Sequence, residues 1–170
     1  FASQMQMRFP NQFESNHVIQ HDQLLVNVVK KGITGTYLNS SYKNRNNEKY
    51  QNELGNTIIT LLRSIPGGVL IFFPSYSVMD LCLKNWNLNQ NSNNSNNSKD
   101  SVFAKISAKK QIFIETRDSL SMKALVKQYT NIVDNGKGAV FFAVCRGKAS
   151  EGIDFRDSRC RAVIITGLPF

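Results

Sequence analysis

The residues whose types and spacing best suit a charged ligand lie in the stretch "AVCRGKASEGIDF", residues 143–155. Its apolar start is typical of a buried strand, and charged residues and glycines follow directly behind it. Basic side chains bind phosphate, acidic ones accept hydrogen bonds from ribose hydroxyls or pair with a cation, and glycine lets the backbone approach a ligand. We therefore predict a nucleotide or phosphate site, with an internally salt-bridged loop as the alternative. The candidate residues are Arg146, Gly147, Lys148, Ser150, Glu151, Gly152 and Asp154.

A second candidate site follows the apolar run "VLIFF", residues 69–73. Ser75 and Tyr76 lie where we predict the start of a helix, so free backbone N–H groups and a hydroxyl can hold a phosphate while the ring stacks on a base or sugar. The alternative is that Ser75 or Ser77 only caps the helix and that Tyr76 only packs. Ser77 followed by Asp80 has the spacing of a capping box.

A third polar turn, residues 116–118, follows the run "IFIE", residues 112–115. Its composition suits contact with nucleic acid. It equally suits a solvated helix start with Asp118 or Ser119 as the cap. The sequence alone leaves both interpretations open.

The apolar patterns predict which elements position these residues. Continuous apolar runs predict buried strands, and apolar residues at helical spacing predict helices between them. Such an alternation favours an α/β fold with a parallel sheet covered on both faces, in which binding sites lie at the carboxyl ends of the strands. The predicted strands are residues 24–29, 69–73, 112–115, 140–145 and 162–167, and the predicted helices are residues 48–65, 74–86 and 122–133.

The sequence excludes a P-loop. The pattern G-x-x-x-x-G-K-[ST] requires Gly where Phe142 stands and Ser or Thr where Ala149 stands, so Gly147 and Lys148 do not belong to one. Nor does the chain carry a carboxylate pair on an Asp-Glu-like motif for magnesium. We therefore expect no triphosphate cradle and no catalytic residues within these residues.

No metal site is predicted either. Cys82, Cys145 and Cys160 show no C-x-x-C spacing, which excludes a zinc site and a complete iron–sulfur ligand set. Cys82 and Cys145 lie in apolar surroundings and are expected to be core thiols. His17 and His21 lie in a polar stretch away from the strand ends, where a surface role is favoured over metal binding.

Composition limits the class of protein. A length of 170 residues with 41% hydrophobic content suits one domain, and a net charge of +9 favours an anionic partner such as nucleic acid over a merely soluble basic surface. The longest apolar run, "AVFFAVC", is far shorter than the roughly 20 residues that span a bilayer, so no membrane partner is expected. Residues 87–100 are rich in Asn and are predicted to form a disordered insertion. We expect the chain to be a piece of a longer protein.

Two motifs carry a resemblance to a known family. "GGVLIFFPSY" resembles motif IV of the iron–sulfur superfamily 2 DNA helicases, the group of XPD, the Fanconi anaemia J helicase and the regulator of telomere elongation helicase. "AVCRGKASEGIDF" and the following "RAVIITGLPF" resemble motif V and the next strand, and "IFIETRDSLSMKALVKQY" is similar to the intervening segment. The N-terminal "FPNQFESNHVI" favours the telomere-elongation and Fanconi J branches.

The resemblance implies a RecA-like three-layer domain, the second motor domain of an ATP-dependent DNA helicase that moves 5′ to 3′ along single-stranded DNA. It implies that Glu151, Gly152 and Asp154 lie toward the nucleotide cleft. It places the remaining candidates toward the DNA or between DNA and cleft. These are Ser75, Tyr76, Arg146, Lys148 and Ser150.

The resemblance also implies what residues 1–170 lack. Motif VI with its arginine finger is expected after Phe170, and the P-loop, the magnesium ligands and the 4Fe-4S cysteines before Phe1. ATP and Mg²⁺ would be shared with the first motor domain of the same chain, and the whole protein would act in the nucleus in DNA repair, transcription or telomere maintenance, with repair or transcription factors as partners. The competing function is a non-catalytic nucleic-acid-binding or scaffolding module with the same fold.

Overall fold

The computed structural model describes residues 18–86, 100–150, 153 and 155–168, together with residues 4, 6, 8, 10, 11 and 13. Apart from Asp100, the predicted Asn-rich insertion therefore lies outside the described residues. The strands are β1 (Gly68–Phe73), β2 (Gln111–Ile114), β3 (Ala139–Val144) and β4 (Ala162–Ile165). The helices are α1 (Glu48–Ser64), α2 (Tyr76–Asn85), α3 (Val102–Ser107) and α4 (Ser119–Asp134), with short 3₁₀ turns at His21–Gln23 and Asp157–Arg159.

The strands form a parallel sheet in the order β2-β3-β1-β4. In its centre, β1 and β3 pair along their whole lengths, from Gly68 opposite Ala139 to Phe73 opposite Val144. Parallel strands direct their carboxyl ends to one edge, so the residues after Phe73, Ile114 and Val144 lie along the same edge. This confirms the prediction of an α/β domain with a parallel sheet.

Apolar residues cover both faces of the sheet, which explains the continuous apolar runs. Alternate strand residues such as Ile71 and Phe142 pack with α1, α2 and α3 on one face. Their neighbours, such as Leu70 and Phe141, pack with α4 and the segment before β4 on the other. The resulting three layers confirm the RecA-like architecture.

The direction of each connection decides its face. The chain passes from β1 to β2 in one direction along the sheet, and from β2 through β3 to β4 in the other. Right-handed crossovers running in opposite directions lie on opposite faces. Accordingly α2 and α3 lie on one face, whereas α4 and the β3–β4 connection lie on the other.

Polar caps fix the starts of the helices. Ser75 caps α2 by accepting a hydrogen bond from the N–H of Val78, and Asp118 caps α4 by accepting one from the N–H of Ser121. The capping-box interpretation of Ser77 is therefore wrong. Ser75 has the extended backbone of a cap residue, with φ −159° and ψ 160°, whereas Ser77 already lies within the helix.

Residues 24–29 do not form the predicted strand. Leu25 and Val28 are each 84% exposed, and the only bridge in the described part of this N-terminal region pairs Lys31 with Tyr37. An apolar run becomes a strand only where its N–H and C=O groups find a partner. The turn that follows this run, residues 32–36, is held by Thr34, whose N–H and hydroxyl donate to the Glu53 carboxylate at 2.7 and 2.8 Å.

Helix α3 was not predicted, because six residues are too few to show an apolar period. None of the described helices is long and apolar enough to cross a membrane.

Replacing Phe142 with Ala should lower the free energy of unfolding by about 3–5 kcal/mol, because a fully buried ring that meets Phe73 and Trp86 leaves a cavity. Urea unfolding followed by circular dichroism measures this loss. The same change at Phe13, which is 94% exposed, is the matched control and should stay within about 0.5 kcal/mol of wild type. Equal effects at both positions would contradict the assigned core.

Candidate nucleic-acid interface

A buried carboxylate lies where three strand ends meet. Glu115 directly follows β2 and is only 4% exposed, although nothing apolar about it favours burial. Its backbone N–H continues the sheet by donating to the carbonyl of Phe142 in β3 at 2.8 Å. The sheet therefore aims this side chain along its carboxyl edge, toward the ends of β1 and β3.

The carboxylate of Glu115 accepts three hydrogen bonds. Its Oε2 accepts from the N–H of Val144 at 2.8 Å, at the end of β3. Its Oε1 accepts from the N–H of Lys148 at 2.7 Å and from the hydroxyl of Tyr76 at 2.9 Å. A buried charge needs such donors, and here they come from the start of α2, from the last residue of β3 and from the turn after β3.

The turn after β3, residues 145–150, wraps around this carboxylate. The N–H of Gly147 donates to the carbonyl of Val144 at 2.9 Å, and the N–H of Ser150 donates to the carbonyl of Gly147 at 3.1 Å. A Cβ at Gly147 would lie 2.5 Å from Oε1 of Glu115 and 2.8 Å from the Val144 carbonyl oxygen. Gly147 thus lets the backbone of the turn approach Glu115. The sequence analysis predicted that this glycine lets the backbone approach a ligand, whereas in the structure the group it approaches is a side chain of the domain itself.

Tyr76 joins the turn to helix α2. Its hydroxyl donates to Glu115, and the guanidinium of Arg117 lies 4.9 Å from the centre of its ring. Burial raises the pKa of Tyr76 to about 12, with the hydrogen bond to Glu115 contributing. The phenol is therefore a neutral donor at physiological pH, and one face of the ring is covered by a cation.

The two basic residues of the turn have different surroundings. The ammonium of Lys148 donates to Ser119 Oγ at 2.8 Å and to the carbonyl of Arg117, so it fastens the turn to the start of α4. Arg146 is exposed, and no described residue makes a hydrogen bond or ion pair with its guanidinium. Its backbone has φ +59°, a conformation that is uncommon outside glycine and points to a tightly constrained turn.

Two hydroxyls at this edge have local partners. Ser75 Oγ accepts from the N–H of Val78 at 3.4 Å, as the capping alternative expected. Ser150 is exposed, and its Oγ donates to the carbonyl of Gly147 at 2.8 Å. Both hydroxyls keep capacity for one more hydrogen bond to a ligand at the edge.

The far end of the β3–β4 connection is fixed at the opposite edge of the sheet. Phe155 packs on Tyr129 and Phe141, with ring centres 5.5 and 6.1 Å apart. The hydroxyl of Tyr129 donates to the carbonyl of Arg159 at 2.6 Å, and the Arg159 guanidinium forms a two-point ion pair with Asp134. The connection is therefore held at both ends.

Comparison with known proteins decides what this arrangement belongs to. Residues 58–170 match the family model described as the helicase C-terminal domain. The chain belongs to the helicase C-terminal domain family. The matched region contains every element of this candidate interface, from the end of β1 to the turn after β3.

Curated relatives of this helicase C-terminal domain agree. Proteins named regulator of telomere elongation helicase 1 homolog are 44% identical over 171 residues in Oryza sativa subsp. japonica and 43% identical over 171 residues in Arabidopsis thaliana. The homolog of that name in Aedes aegypti is 42% identical over 170 residues. Each alignment covers 99% of the chain but only 16–17% of the relative, so the chain spans about one sixth of their length. The resemblance to the XPD-like superfamily 2 helicase group is thereby confirmed.

The structure brings some predicted site residues of the helicase domain together and does not describe others. Ser75, Tyr76, Arg146, Lys148 and Ser150 all lie along the carboxyl edge. The predicted nucleotide-cleft residues, Glu151, Gly152 and Asp154, lie outside the described residues, as does His17.

Among the described residues, no group of three or more His, Cys, Asp or Glu is placed to hold a metal ion. Cys82 is a core thiol as predicted, and burial raises its pKa to about 12. Cys145, predicted to be in the core, is only partly buried, because it follows the last residue of β3.

Sequence reasoning missed the two residues that organise the helicase domain's edge. Glu115 was assigned to the end of the third apolar run, and Arg117 was one member of an ambiguous turn. The available signal was a carboxylate that ends an apolar strand, since a buried charge implies donors nearby. Nothing in the sequence identified those donors.

Replacing Ser75 with Ala should lower the free energy of unfolding by about 1 kcal/mol, because the N–H of Val78 loses its cap. Thermal or urea unfolding measures the change. Ser77→Ala, the same change at an exposed position two residues along, should stay within about 0.5 kcal/mol of wild type. A larger loss at Ser77 would mean that the helix starts later than assigned.

Proposed function

We propose that this chain is the C-terminal RecA-like motor domain of an ATP-dependent DNA helicase that moves 5′ to 3′ on single-stranded DNA. The observation that carries the proposal is the network at Glu115, which joins motif IV, through Tyr76, to motif V, through Val144 and Lys148. The family match and the names of the relatives support a helicase C-terminal domain, and the direction of movement is what the motif resemblance implies.

The edge of the sheet suits a polyanion. Arg146 and Arg117 are exposed there, and Lys148 lies between them and the start of α4. We assign Arg146 to a DNA phosphate, since its guanidinium has no partner among the described residues. Lys148 holds the turn in place and contributes positive charge from there.

The neutral groups of the edge complete the DNA-binding surface. Ser75 and Ser150 each retain a hydroxyl function for a phosphate or sugar, and Tyr76 offers an aromatic edge beside the strand's path. Stacking of a base on the Tyr76 ring requires the free face or displacement of Arg117. These assignments predict backbone contacts without sequence preference.

Nucleotide binding is assigned to the residues that follow the turn. Glu151, Gly152 and Asp154 would face a cleft shared with the first motor domain, which supplies the P-loop and magnesium ligands for ATP and Mg²⁺. Any 4Fe-4S cluster would lie in the part of the protein before this chain. We place the whole protein in the nucleus, acting in repair, transcription or telomere maintenance with protein partners of those pathways.

The alternative is a non-catalytic nucleic-acid-binding or scaffolding module that has kept the fold. Both functions predict salt-sensitive binding to single-stranded DNA, because phosphate contacts release counterions. Only the motor predicts DNA-dependent ATP hydrolysis and unwinding by the full-length protein. A duplex with a 5′ single-stranded tail should be unwound and one with a 3′ tail should not.

In the full-length protein, Arg146→Ala should weaken single-stranded DNA binding and reduce unwinding strongly. Loss of one phosphate contact should lower the slope of log affinity against log salt by about 0.7. Arg63→Ala, at an exposed site at the end of α1, is the matched control and should leave both unchanged. Unfolding of the Arg146 variant would instead favour the salt-bridged-loop interpretation.

Asp154→Ala should reduce ATP-coupled unwinding strongly while leaving folding nearly unchanged, because its carboxylate is assigned to the nucleotide cleft. Unwinding assays, ATPase assays at saturating single-stranded DNA and circular dichroism for folding measure this. A variant with normal ATPase activity would remove Asp154 from the cleft.

Residues 1–170 prepared alone should show no DNA-dependent ATP hydrolysis, because they contain no P-loop. A coupled ATPase assay with and without single-stranded DNA tests this. Activity that persists through purification and scales with the domain would contradict the two-domain assignment.

A further inference from the structure

We propose that Glu115 is a positioning residue that couples DNA at motif IV to the charged turn of motif V. This inference rests on the proposed function and deepens it. Glu115 touches neither ligand in the proposal. Its carboxylate binds both the hydroxyl of Tyr76 and the backbone of the turn. A movement of either donor therefore changes the hydrogen bond of the other.

The coupling is carried by one oxygen atom. Oε1 of Glu115 accepts two hydrogen bonds, one from the hydroxyl of Tyr76 at 2.9 Å and one from the N–H of Lys148 at 2.7 Å. Tyr76 begins α2, and Lys148 lies in the turn that leads to the predicted nucleotide-cleft residues. Displacement of one donor changes the position and the polarisation of the acceptor oxygen that the other donor meets.

Loss of a donor is costly for the Glu115 carboxylate. Glu115 is 4% exposed, so water does not readily replace a lost donor, and a buried charge without its donors is costly. Its third bond, from Val144 N–H at 2.8 Å, ties it to the last residue of β3 and keeps it in register with the sheet. A rigid anchor on one side makes the other two donors respond to each other.

DNA has a direct route into this network. The Arg117 guanidinium stacks on the ring of Tyr76 at 4.9 Å and is exposed, so a phosphate that attracts Arg117 also alters the packing of that ring. Lys148 connects Arg117 to the turn directly, because its ammonium donates to the carbonyl of Arg117. DNA bound at Tyr76 and Arg117 can thus affect the turn along two paths. One runs through the hydrogen bonds of Glu115, and the other through the hydrogen bond between Lys148 and Arg117.

The test uses Tyr76→Phe and Glu115→Gln in the full-length protein. Tyr76→Phe removes one donor and keeps the ring and the carboxylate. Glu115→Gln leaves one acceptor oxygen, so at least one of three donors meets an NH₂ group. Each change should reduce stimulation of the ATPase by single-stranded DNA by about 5- to 150-fold, the usual range of coupling between two sites.

The matched control is Tyr129→Phe. This change also removes a buried phenol hydroxyl, one that donates to the carbonyl of Arg159 at 2.6 Å at the opposite edge. It should lower thermal stability but keep the stimulation by DNA. The double variant Tyr76→Phe/Glu115→Gln should lose no more than the worse single variant, since both changes break one link. Additive losses, or an equal loss in Tyr129→Phe, would overturn the inference.

Hydrogen exchange separates this inference from the proposed function. Tyr76→Phe should make the amides of Val144 and Lys148 exchange several-fold faster, while Tyr129→Phe should not change them. If these amides exchange at the wild-type rate in Tyr76→Phe, the coupling through Glu115 is disproved even if the protein is a helicase. If the full-length wild-type protein shows no DNA-dependent ATPase activity, the proposed helicase function is disproved. Faster amide exchange in Tyr76→Phe would still support the link between Tyr76 and the turn through Glu115.

Discussion

The burial of one carboxylate sets the geometry of the whole carboxyl edge. Glu115 lies at the end of an apolar strand, where its charge has lost water and must be compensated by donors. The donors are all distant from Glu115 in the sequence: Tyr76 at the start of α2, Val144 at the end of β3, and Lys148 in the turn. The same requirement shapes the turn, since only a residue without a side chain fits at Gly147.

The sheet makes this convergence possible. Its central strands β1 and β3 are parallel neighbours, and β2 lies beside β3, so their carboxyl ends reach one edge together. Both faces of the sheet are covered mainly by apolar side chains. Binding sites of parallel sheets lie in the loops at this edge, which is where the candidate residues of this domain lie.

The two basic residues of the turn after β3 have different roles in the structure. Lys148 is held by Ser119 and by the carbonyl of Arg117, so its charge serves the structure first. Arg146 lies two residues earlier, with a left-handed backbone and an exposed guanidinium. Within this turn the Lys148 side chain is directed toward the start of α4, whereas the Arg146 side chain is directed to solvent. The latter is available to a ligand.

The sequence alone determined the parallel sheet, four of the five predicted strands and three helices, because continuous apolar runs and helical spacing are local signals. It also placed the candidate residues at strand ends. It failed at residues 24–29, since an apolar run does not reveal whether a neighbouring strand exists. Only the tertiary structure decided which side chains meet. The partners of Glu115 are separated from it by up to 39 residues, and hydrogen bonds of that span follow from the order of strands in the sheet, which no local pattern encodes.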